Sequence, residues 1–328
     1  MASVLDFLCL LFLVLLLSSS PVSSGKCNKD DKKALLAIKK ALGDPYVLIA
    51  WTSQYACCDW AGVRCNETTS RVTSLDIDGT NTSFAIPSAV AHLPFLTSLT
   101  FHKNPGLTGP IPPAIGTITD LTFLRLDWNS LSGPVPDFLA RLTRLDYLNL
   151  AFNQFSGAIP ASLATLPLSY LAIDHNRLTG PIPESLARSP AAYLYLSNNN
   201  LTGSIPPSFA SNTFERIDLS RNQLSGDAAH LFGKSKPLQV LDLSRNHAIE
   251  FNITQVEIPE EMTALDLNHN RVYGRLPPEM GKVEWQLLNV SYNRLCGPIP
   301  SGEGIQRFDR YAFFHNKCLC GPPLPACK

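Results

Sequence analysis

Serine, histidine and aspartate, the side chains of a nucleophilic triad, all occur in this chain of 328 residues. The seven histidines lie at unrelated positions, however, and the sequence contains no GxSxG, HExxH or phosphate-binding glycine loop. These patterns do not indicate an active site. We therefore expect a protein that is not an enzyme, has no catalytic residue, cofactor or metal, and works by binding.

Cysteines supply the other reactive groups, and their positions favour disulfides. If Cys9 is removed with an N-terminal leader, eight cysteines remain, gathered towards the two ends of the chain. A zinc site is the alternative, but the spacings are not those of paired CxxC ligands, and an oxidising compartment favours disulfides. Two bridges near each end are expected, with their connectivity left open. The eight residues are Cys27, Cys57, Cys58, Cys65, Cys296, Cys318, Cys320 and Cys327.

The first twenty-five residues have the pattern of a secretory signal peptide. An apolar run extends from Phe7 to Leu17, and small residues suited to cleavage after Ser24 or Gly25 follow it. A membrane anchor is the alternative, but the run is short for a bilayer and no second apolar stretch of about 20 residues follows. We predict a signal peptide over residues 1–24 and a secreted mature chain without a membrane anchor.

Glycosylation sequons agree with export, because Asn-X-Ser/Thr marks a surface acceptor in secreted proteins. The five acceptors are Asn66, Asn81, Asn200, Asn252 and Asn289. Charge excludes another class of partner: 27 basic residues balance 27 acidic ones, which gives no support to nucleic-acid binding.

The elements that position any binding residue come from an internal repeat. The pattern LxLxxN recurs with a spacing of 23 to 25 residues, which is the leucine-rich-repeat signature. An atypical earlier copy begins at Leu75 and has Thr80 in place of the asparagine. We predict about ten repeats over residues 71–300, between an N-terminal cap at 25–70 and a C-terminal cap at 301–328. The repeated residues are Asn104, Asn129, Asn153, Asn176, Asn199, Asn222, Asn246, Asn270 and Asn293.

Each repeat predicts one short strand and one turn. In Leu124-Arg125-Leu126 the leucines face inward and the arginine faces outward, so stacked copies form a parallel sheet. A carboxamide both donates and accepts, so a ladder of asparagines can satisfy the backbone where the chain leaves the strand. In the segment LxGxIP that follows, glycine allows the chain to turn back tightly. Proline has no N–H, so it removes a donor that this outer, loosely paired segment could not satisfy.

A short amphipathic helix near Asp30 to Leu42 is predicted to cap the first coil. Without it the first coil would expose its leucines to water. The covering residues are Leu35, Leu36, Ile38 and Leu42, with Trp51 and Trp60 beneath them.

Several motifs resemble those of known leucine-rich-repeat proteins. CCDWAGVRC at 57–65 is similar to the N-terminal cap of plant extracellular leucine-rich-repeat proteins, and LxGxIP marks the plant-specific repeat class. LSGDAAHLFG at 224–233 and LCGPIP at 295–300 discriminate further. Together with GIQRFD at 304–309 and NKCLCGPPLPAC at 316–327, they resemble the polygalacturonase-inhibiting proteins of plants over essentially the whole mature chain.

The resemblance implies an α/β solenoid: a right-handed superhelix with a concave parallel β-sheet, short 3-10 helices on the convex side and disulfide-bonded caps. It implies a cell-wall protein that binds fungal, and in some members insect, endopolygalacturonases and limits pectin degradation in plant defence. It also implies the pairs Cys27 with Cys57, Cys58 with Cys65, Cys296 with Cys318, and Cys320 with Cys327.

The outward strand positions form the only large rigid surface that the scaffold itself does not require. Aromatic anchors dominate interface energetics, although these rings could instead merely cover neighbouring strands. They are Tyr147, Tyr170, Tyr193 and Tyr195, with Trp128 and Phe152 on the loop side.

Acidic residues are also frequent on this surface. Asp127 and Asp174 share one column, and Asp218, Asp242 and Asp266 share another, with Arg216, Arg221 and Arg245 nearby. The alternative is that aspartate merely suits the LDLS consensus; Asp174, followed by His175, departs from it.

By the resemblance, contact positions fall on Asn149, Ala151, Ser169, Asp174, Tyr195, Asp218 and Gln239. From residue type and outward position we predict five further partner-binding residues, which are Asp127, Trp128, His175, Tyr193 and Asp242.

Charge complementarity supports inhibition, because an enzyme that cleaves a polyanion lines its cleft with cations. The main rival is an extracellular ligand-binding or co-receptor-like protein in developmental signalling. A third class, adhesion to pectin or ice, would need a repeated basic or threonine-rich row; the outward strand residues are too varied for ice, whereas scattered basic residues allow pectin contact.

Overall fold

The computed structural model describes residues 27–328, so the predicted signal peptide lies outside the described residues. These residues contain 21 short strands in three sheets. The first sheet contains β1 (Val63–Cys65), β2 (Val72–Asp78), β3 (Ser98–His102), β5 (Phe123–Arg125), β7 (Tyr147–Asn149), β9 (Tyr170–Ala172), β11 (Tyr193–Tyr195), β13 (Arg216–Asp218), β15 (Val240–Asp242), β17 (Ala264–Asp266) and β19 (Leu287–Asn289). The second contains β4 (Thr108–Gly109), β6 (Ser130–Pro134), β8 (Gln154–Gly157), β10 (Arg177–Pro181), β12 (Asn200–Ser204), β14 (Gln223–Gly226) and β16 (Ala248–Ile249). The third contains β18 (Tyr273–Gly274), β20 (Arg294–Pro298) and β21 (Cys318–Cys320).

The first sheet is the concave sheet of a leucine-rich-repeat solenoid. β1 is antiparallel to β2, and each of the ten strands from β2 onward is parallel to its neighbours. Equivalent leucines lie opposite one another, as in Leu124, Leu148 and Leu171, and all three are fully buried. One strand per repeat confirms the predicted count of about ten.

Helices lie between the strands, mostly as single 3-10 turns. The LxGxIP proline immediately precedes most of them, as at Pro136, Pro160 and Pro183, because its fixed φ and missing N–H suit a helix start. The 3-10 helices are Tyr46–Leu48, Cys57–Asp59, Ser88–His92, Pro113–Thr117, Asp137–Arg141, Ala161–Thr165, Glu184–Arg188, Pro207–Ser211, Ala229–Leu231, Ile253–Gln255, Pro278–Lys282 and Arg310–Ala312. The described residues also contain two α-helices, α1 (Lys29–Ala41) and α2 (Glu303–Gln306). Neither is long enough to cross a membrane.

The asparagine ladder forms as predicted. Asn153 donates from Nδ2 to the carbonyls of Leu126 (2.7 Å) and Leu150 (3.1 Å), while its Oδ1 accepts from the N–H of Leu131 (3.0 Å). Each turn is thereby bonded to the coils before it, which satisfies backbone groups that water cannot reach.

The ladder also extends beyond the predicted repeats. Asn316 accepts from the N–H of Leu295 and donates to the carbonyls of Val290 and Phe313. The C-terminal cap therefore continues the backbone pattern of the repeats and adds β21 to the third sheet, beside β20.

Both caps are closed by disulfides with the four implied pairs, which confirms them. In the N-terminal cap, Leu35, Ile38 and Leu42 are fully buried. Leu36 is only partly buried, because successive helix residues are turned by about 100° and Leu36 faces the edge of the contact.

An ion pair that the sequence did not reveal fixes α1 to β2. Asp31 is 1% exposed and accepts two hydrogen bonds from Arg71 (2.7 and 2.9 Å) and one from the N–H of Val72 (2.8 Å). Trp51 stacks on Trp60 beneath the helix, with ring centroids 5.3 Å apart.

Candidate partner-binding face

Parallel register arranges the outward residues of the concave sheet in columns. Equivalent residues of neighbouring strands lie directly opposite one another, about 4.8 Å apart. Three sets of residues line this face and its edge. The tyrosine column is Phe123, Tyr147, Tyr170 and Tyr193; the acid column is Asp218, Asp242 and Asp266; and the edge row comprises the residues immediately before the ladder asparagines.

The edge row has an unusual backbone. Its residues from Lys103 to His315 all have φ between 52° and 58°, the left-handed region that favours glycine. Trp128 and Phe152 adopt it at φ of 57° and 54° although bulky side chains rarely do. Backbone pairing with the next coil holds this conformation, since the Phe152 N–H donates to the carbonyl of Asp174. The turn thus directs successive side chains along one edge of the concave sheet.

Aromatic side chains stack along that edge. The Trp128 and Phe152 rings are 3.8 Å apart between centroids, and the Phe152 and His175 rings are 3.9 Å apart. Trp128 nevertheless remains 48% exposed, so one ring face is available to a partner. The stack supports these rings in a single orientation, which lowers the entropy lost on binding.

The tyrosine column stacks in the same way. Phe123 lies 4.2 Å from Tyr147 between ring centroids, and Tyr147 lies 4.4 Å from Tyr170. Tyr193 is tilted relative to Tyr170 and donates from its hydroxyl to Glu215 at 2.9 Å. Burial raises the pKa of Tyr170 well above its usual value, so its hydroxyl stays protonated. These rings both cover neighbouring strands and form part of the outward surface.

The acid column places like charges opposite one another. Asp218 pairs in register with Asp242, and Asp242 with Asp266. Burial, and secondly the Asp218 carboxylate, raise the pKa of Asp242 to about 6. Burial also raises the pKa of Asp266, whereas the Arg245 guanidinium lowers it in part. Hydrogen bonds from the N–H groups of Ser220 and Ser244 hold the carboxylates of Asp218 and Asp242 (3.0 and 2.8 Å).

Asp174 lies close to this column. It is partly buried, which raises its carboxyl pKa, and it hydrogen bonds to Nδ1 of His175 at 2.8 Å. Because His175 also stacks on Phe152, the acidic and aromatic parts of the surface meet at this residue pair. Tyr195 is half-buried and occupies the position opposite Asp218 on the preceding strand.

Three predicted contact residues are not exposed, and this corrects the sequence analysis. Asp127 is 4% exposed because it pairs with Arg125 and His102, each at 2.8 Å. Asn149 is 7% exposed, and its Oδ1 accepts from the N–H of Ala151, which is 5% exposed. These side chains shape the surface from below. Whether they contribute to binding stays a prediction.

Ser169 and Gln239 precede their strands and are half-buried at the opposite margin of the sheet from the edge row. The N–H groups of both donate to the preceding coil, to the carbonyls of Asp146 and Glu215. Their backbones are thus fixed at this margin of the sheet.

A second stack on the edge row was missed in the sequence. Tyr292 lies between His269 and His315, with ring centroids 4.1 and 4.4 Å away. The signal was available, because all three immediately precede a ladder asparagine. The histidines are spread along the sequence, and only the stacking of the coils brings the position before each ladder asparagine into one row.

The five predicted glycan acceptors differ in exposure. Asn66, Asn81 and Asn200 are exposed, whereas Asn252 and Asn289 are half-buried. Asn289 follows Asp266 in the register of the acid column, and its Oδ1 accepts from the hydroxyl of Ser291 at 2.7 Å. Glycosylation of all five stays a prediction.

Metal-ligating side chains come close together near the N-terminal disulfides. Among residues 27–328, the one set of three histidine, cysteine or acidic side chains compact enough for a metal is Cys27, Cys57 and Cys58. All three are in disulfides, which removes the thiolates that a metal would require.

Family models match both parts of the chain. A leucine-rich-repeat N-terminal domain matches residues 28–66, and leucine-rich repeats match 120–142, 144–166, 167–189 and 192–212. Among solved structures, a plant ice-binding protein superposes with a TM-score of 0.90 and 46% identity, covering 92% of this chain and 99% of that one.

Curated relatives match over nearly their full length. The polygalacturonase inhibitor of Pyrus communis is 54% identical, covering 99% of both chains. Polygalacturonase inhibitor 2 of Arabidopsis thaliana is 53% identical, covering 97% of this chain and 98% of its own. With its capped leucine-rich-repeat solenoid, the chain belongs to the plant polygalacturonase inhibitor family.

Proposed function

We propose that this chain is a secreted plant cell-wall inhibitor that binds fungal endopolygalacturonases on its concave face and limits pectin degradation in defence. Relatives named polygalacturonase inhibitors support the class of partner. The observation that carries the proposed site is the acid column next to Tyr195 and the Asp174–His175 pair, all on one rigid sheet.

Electrostatics favour this partner. Pectin is a polyanion, and an enzyme that cleaves it needs cations in its substrate cleft. Asp218, Asp242 and Asp266 offer up to three carboxylates in register, already held by backbone N–H groups. A cationic partner relieves their mutual repulsion, so binding and deprotonation of Asp242 reinforce each other.

Aromatic residues supply the second part of the interface. Interface energy concentrates on a few large rings that are rigid before binding. Trp128 meets both conditions, because it is about half exposed and stacked on Phe152. We place the enzyme across the tyrosine column and the acid column, with Trp128 at one margin.

Further partners follow from the same chemistry. Insect endopolygalacturonases act on the same polymer and so require a similar cleft. Pectin is itself a candidate, because Arg221 and Arg245 are exposed at consecutive positions of the edge row. Guanidinium groups on successive coils can pair with carboxylates of a uronic acid chain.

An inhibition assay tests the proposal. Reducing-end release from polygalacturonic acid is measured for a panel of fungal endopolygalacturonases with and without the purified protein. We expect inhibition of at least one enzyme. If a folded, disulfide-bonded sample inhibits none and instead binds a receptor ectodomain, the extracellular ligand-binding role in development replaces this proposal.

Ice adsorption is a second candidate, because a solved structure similar to this chain is that of a plant ice-binding protein. The second sheet carries at least one exposed or half-exposed hydroxyl on each of six consecutive strands. An ice-recrystallisation assay tests this role, and bulky substitutions in the hydroxyl row should abolish any activity without affecting inhibition. The row is Thr108, Ser132, Ser156, Thr179, Thr202 and Ser225.

A further inference from the structure

The N-terminal cap carries an exposed apolar patch away from the concave sheet. Tyr46 is 84% exposed, Val47 46% and Ile49 61%. Leu48, between them, is buried and anchors the turn. In a 3-10 helix residues three apart lie on the same side, so Tyr46 and Ile49 project together. Clustered exposure of this kind marks an interaction surface more often than isolated apolar residues do.

The segment that follows the patch is held by lysines of α1. Lys39 donates to the carbonyl of Trp51 at 3.0 Å, and Lys32 donates to those of Ser53 and Tyr55, each at 2.7 Å. Tyr55 is itself 61% exposed. A second aromatic group is thereby fixed on the cap.

The surroundings of the patch are cationic. Five lysines and three aspartates lie between residues 29 and 55, and one of these aspartates, Asp31, is buried against Arg71. Lys33 and Lys40 are exposed on α1. Exposed apolar residues on a segment of net positive charge complement a surface that is both anionic and apolar beneath its charges.

We infer that this patch docks the protein on anionic phospholipid membranes. Tyrosines favour the headgroup region, and Val47 and Ile49 gain by burial at the boundary with the acyl chains. Lysines are attracted to acidic headgroups. A soluble polyanion would use the lysines and the tyrosine rings, but it offers no apolar layer for the exposed aliphatic side chains. Peripheral docking also leaves the concave face open.

Vesicle co-sedimentation of the secreted protein tests this inference. Vesicles of phosphatidylcholine alone are compared with vesicles containing one third phosphatidylglycerol. We expect at least roughly tenfold stronger partitioning onto the acidic vesicles, and loss of at least tenfold of it in Tyr46→Ser/Ile49→Ser. Lys33→Glu/Lys40→Glu should remove the preference for acidic lipid. Tyr311→Ser is the matched control, since Tyr311 is 57% exposed in the opposite cap.

Polygalacturonase inhibition, measured on the same samples, should be unchanged in all three variants, because none alters the concave face. The membrane inference is therefore separable from the proposed function. Equal vesicle binding by wild type and Tyr46→Ser/Ile49→Ser would overturn it. A wild type that does not bind acidic vesicles would also overturn it. Binding to polygalacturonate, or dimerisation through the patch, would then identify what the patch contacts instead.

Discussion

Asp218 lies directly opposite Asp242 in the concave sheet, and burial together with the Asp218 carboxylate raises the pKa of Asp242 to about 6. The central position of the acid column therefore changes charge in mildly acidic solution. We therefore expect both partner binding and stability to depend on pH.

The affinity for a cationic polygalacturonase should rise between pH 5 and pH 7, because Asp242 loses its proton across about pH 6. Asp242→Asn should remove this part of the rise. The dissociation constant is measured by surface plasmon resonance at both pH values, and the ratio is compared between variant and wild type so that titration of the enzyme cancels. Asp120→Asn, which alters a surface ion pair with Arg144, is the control. Identical ratios for all three proteins would contradict the role of Asp242.

Stability should show the opposite trend with pH. Folding raises the pKa of Asp242 from 3.8 to about 6, so the unfolded chain releases its proton first as pH increases. The contribution of Asp242 to the free energy of unfolding is therefore largest below about pH 3.8 and is lost as pH rises to about 6. Urea unfolding at pH 4 and pH 7 should show a smaller decline in Asp242→Asn than in wild type.

Charge reversal tests the electrostatic mechanism directly. Asp174→Lys/Asp218→Lys places cations on the face that we propose meets a cationic cleft, and we expect inhibition to weaken by at least tenfold, roughly 1.4 kcal/mol. The inhibition constant is measured alongside circular dichroism to verify folding. Asp120→Lys supplies a charge change outside the proposed face. Full inhibition by the double variant would show that the acidic face is not the docking site.

Trp128 should act as an aromatic anchor. Trp128→Ala removes a ring that is 48% exposed, and we expect a loss of about 2 kcal/mol in binding, or roughly thirtyfold in Kd. The melting temperature should change little, because the ring is about half exposed and stacks on Phe152 at the surface. Calorimetry gives both quantities. A large drop in Tm with unchanged Kd would instead assign the ring a purely structural role.

The ladder can be tested at Asn153. Asn153→Ala removes four hydrogen bonds to backbone groups of Leu126, Leu131, Leu150 and Ala151. Each such bond contributes about 0.5 to 1.5 kcal/mol, and the Leu131 N–H is left without its partner. We therefore expect the free energy of unfolding to fall by about 3 kcal/mol. Chemical denaturation is the measurement, with Gln154→Ala, whose side chain lies outside the ladder, as control. A loss below about 1 kcal/mol would mean that water replaces the carboxamide.

Much of the fold could be predicted from sequence because repeats make local patterns sufficient. Leu124 and its equivalents alternate with outward residues, so inward and outward faces follow from a period of two. The ladder asparagines identify the turns, and their bonding was predicted correctly. Since each coil contacts only its neighbours, little long-range information was required.

The surface was less predictable. Sequence position places Asp127 outward, yet Arg125 and His102 converge on it and bury it. Likewise, the stack of Tyr292 between His269 and His315 depends on a left-handed backbone that the residue types do not suggest.

The sequence by itself determined the period, the turns, the inward leucines and the family, because each depends on residues within one repeat or one motif. Tertiary structure alone decided the burial of Asp31 against Arg71, the exposure of Trp128 and the altered pKa of Asp242. The physical reason is that burial, stacking and electrostatic coupling depend on distances between residues of different coils, which a repeating pattern does not specify.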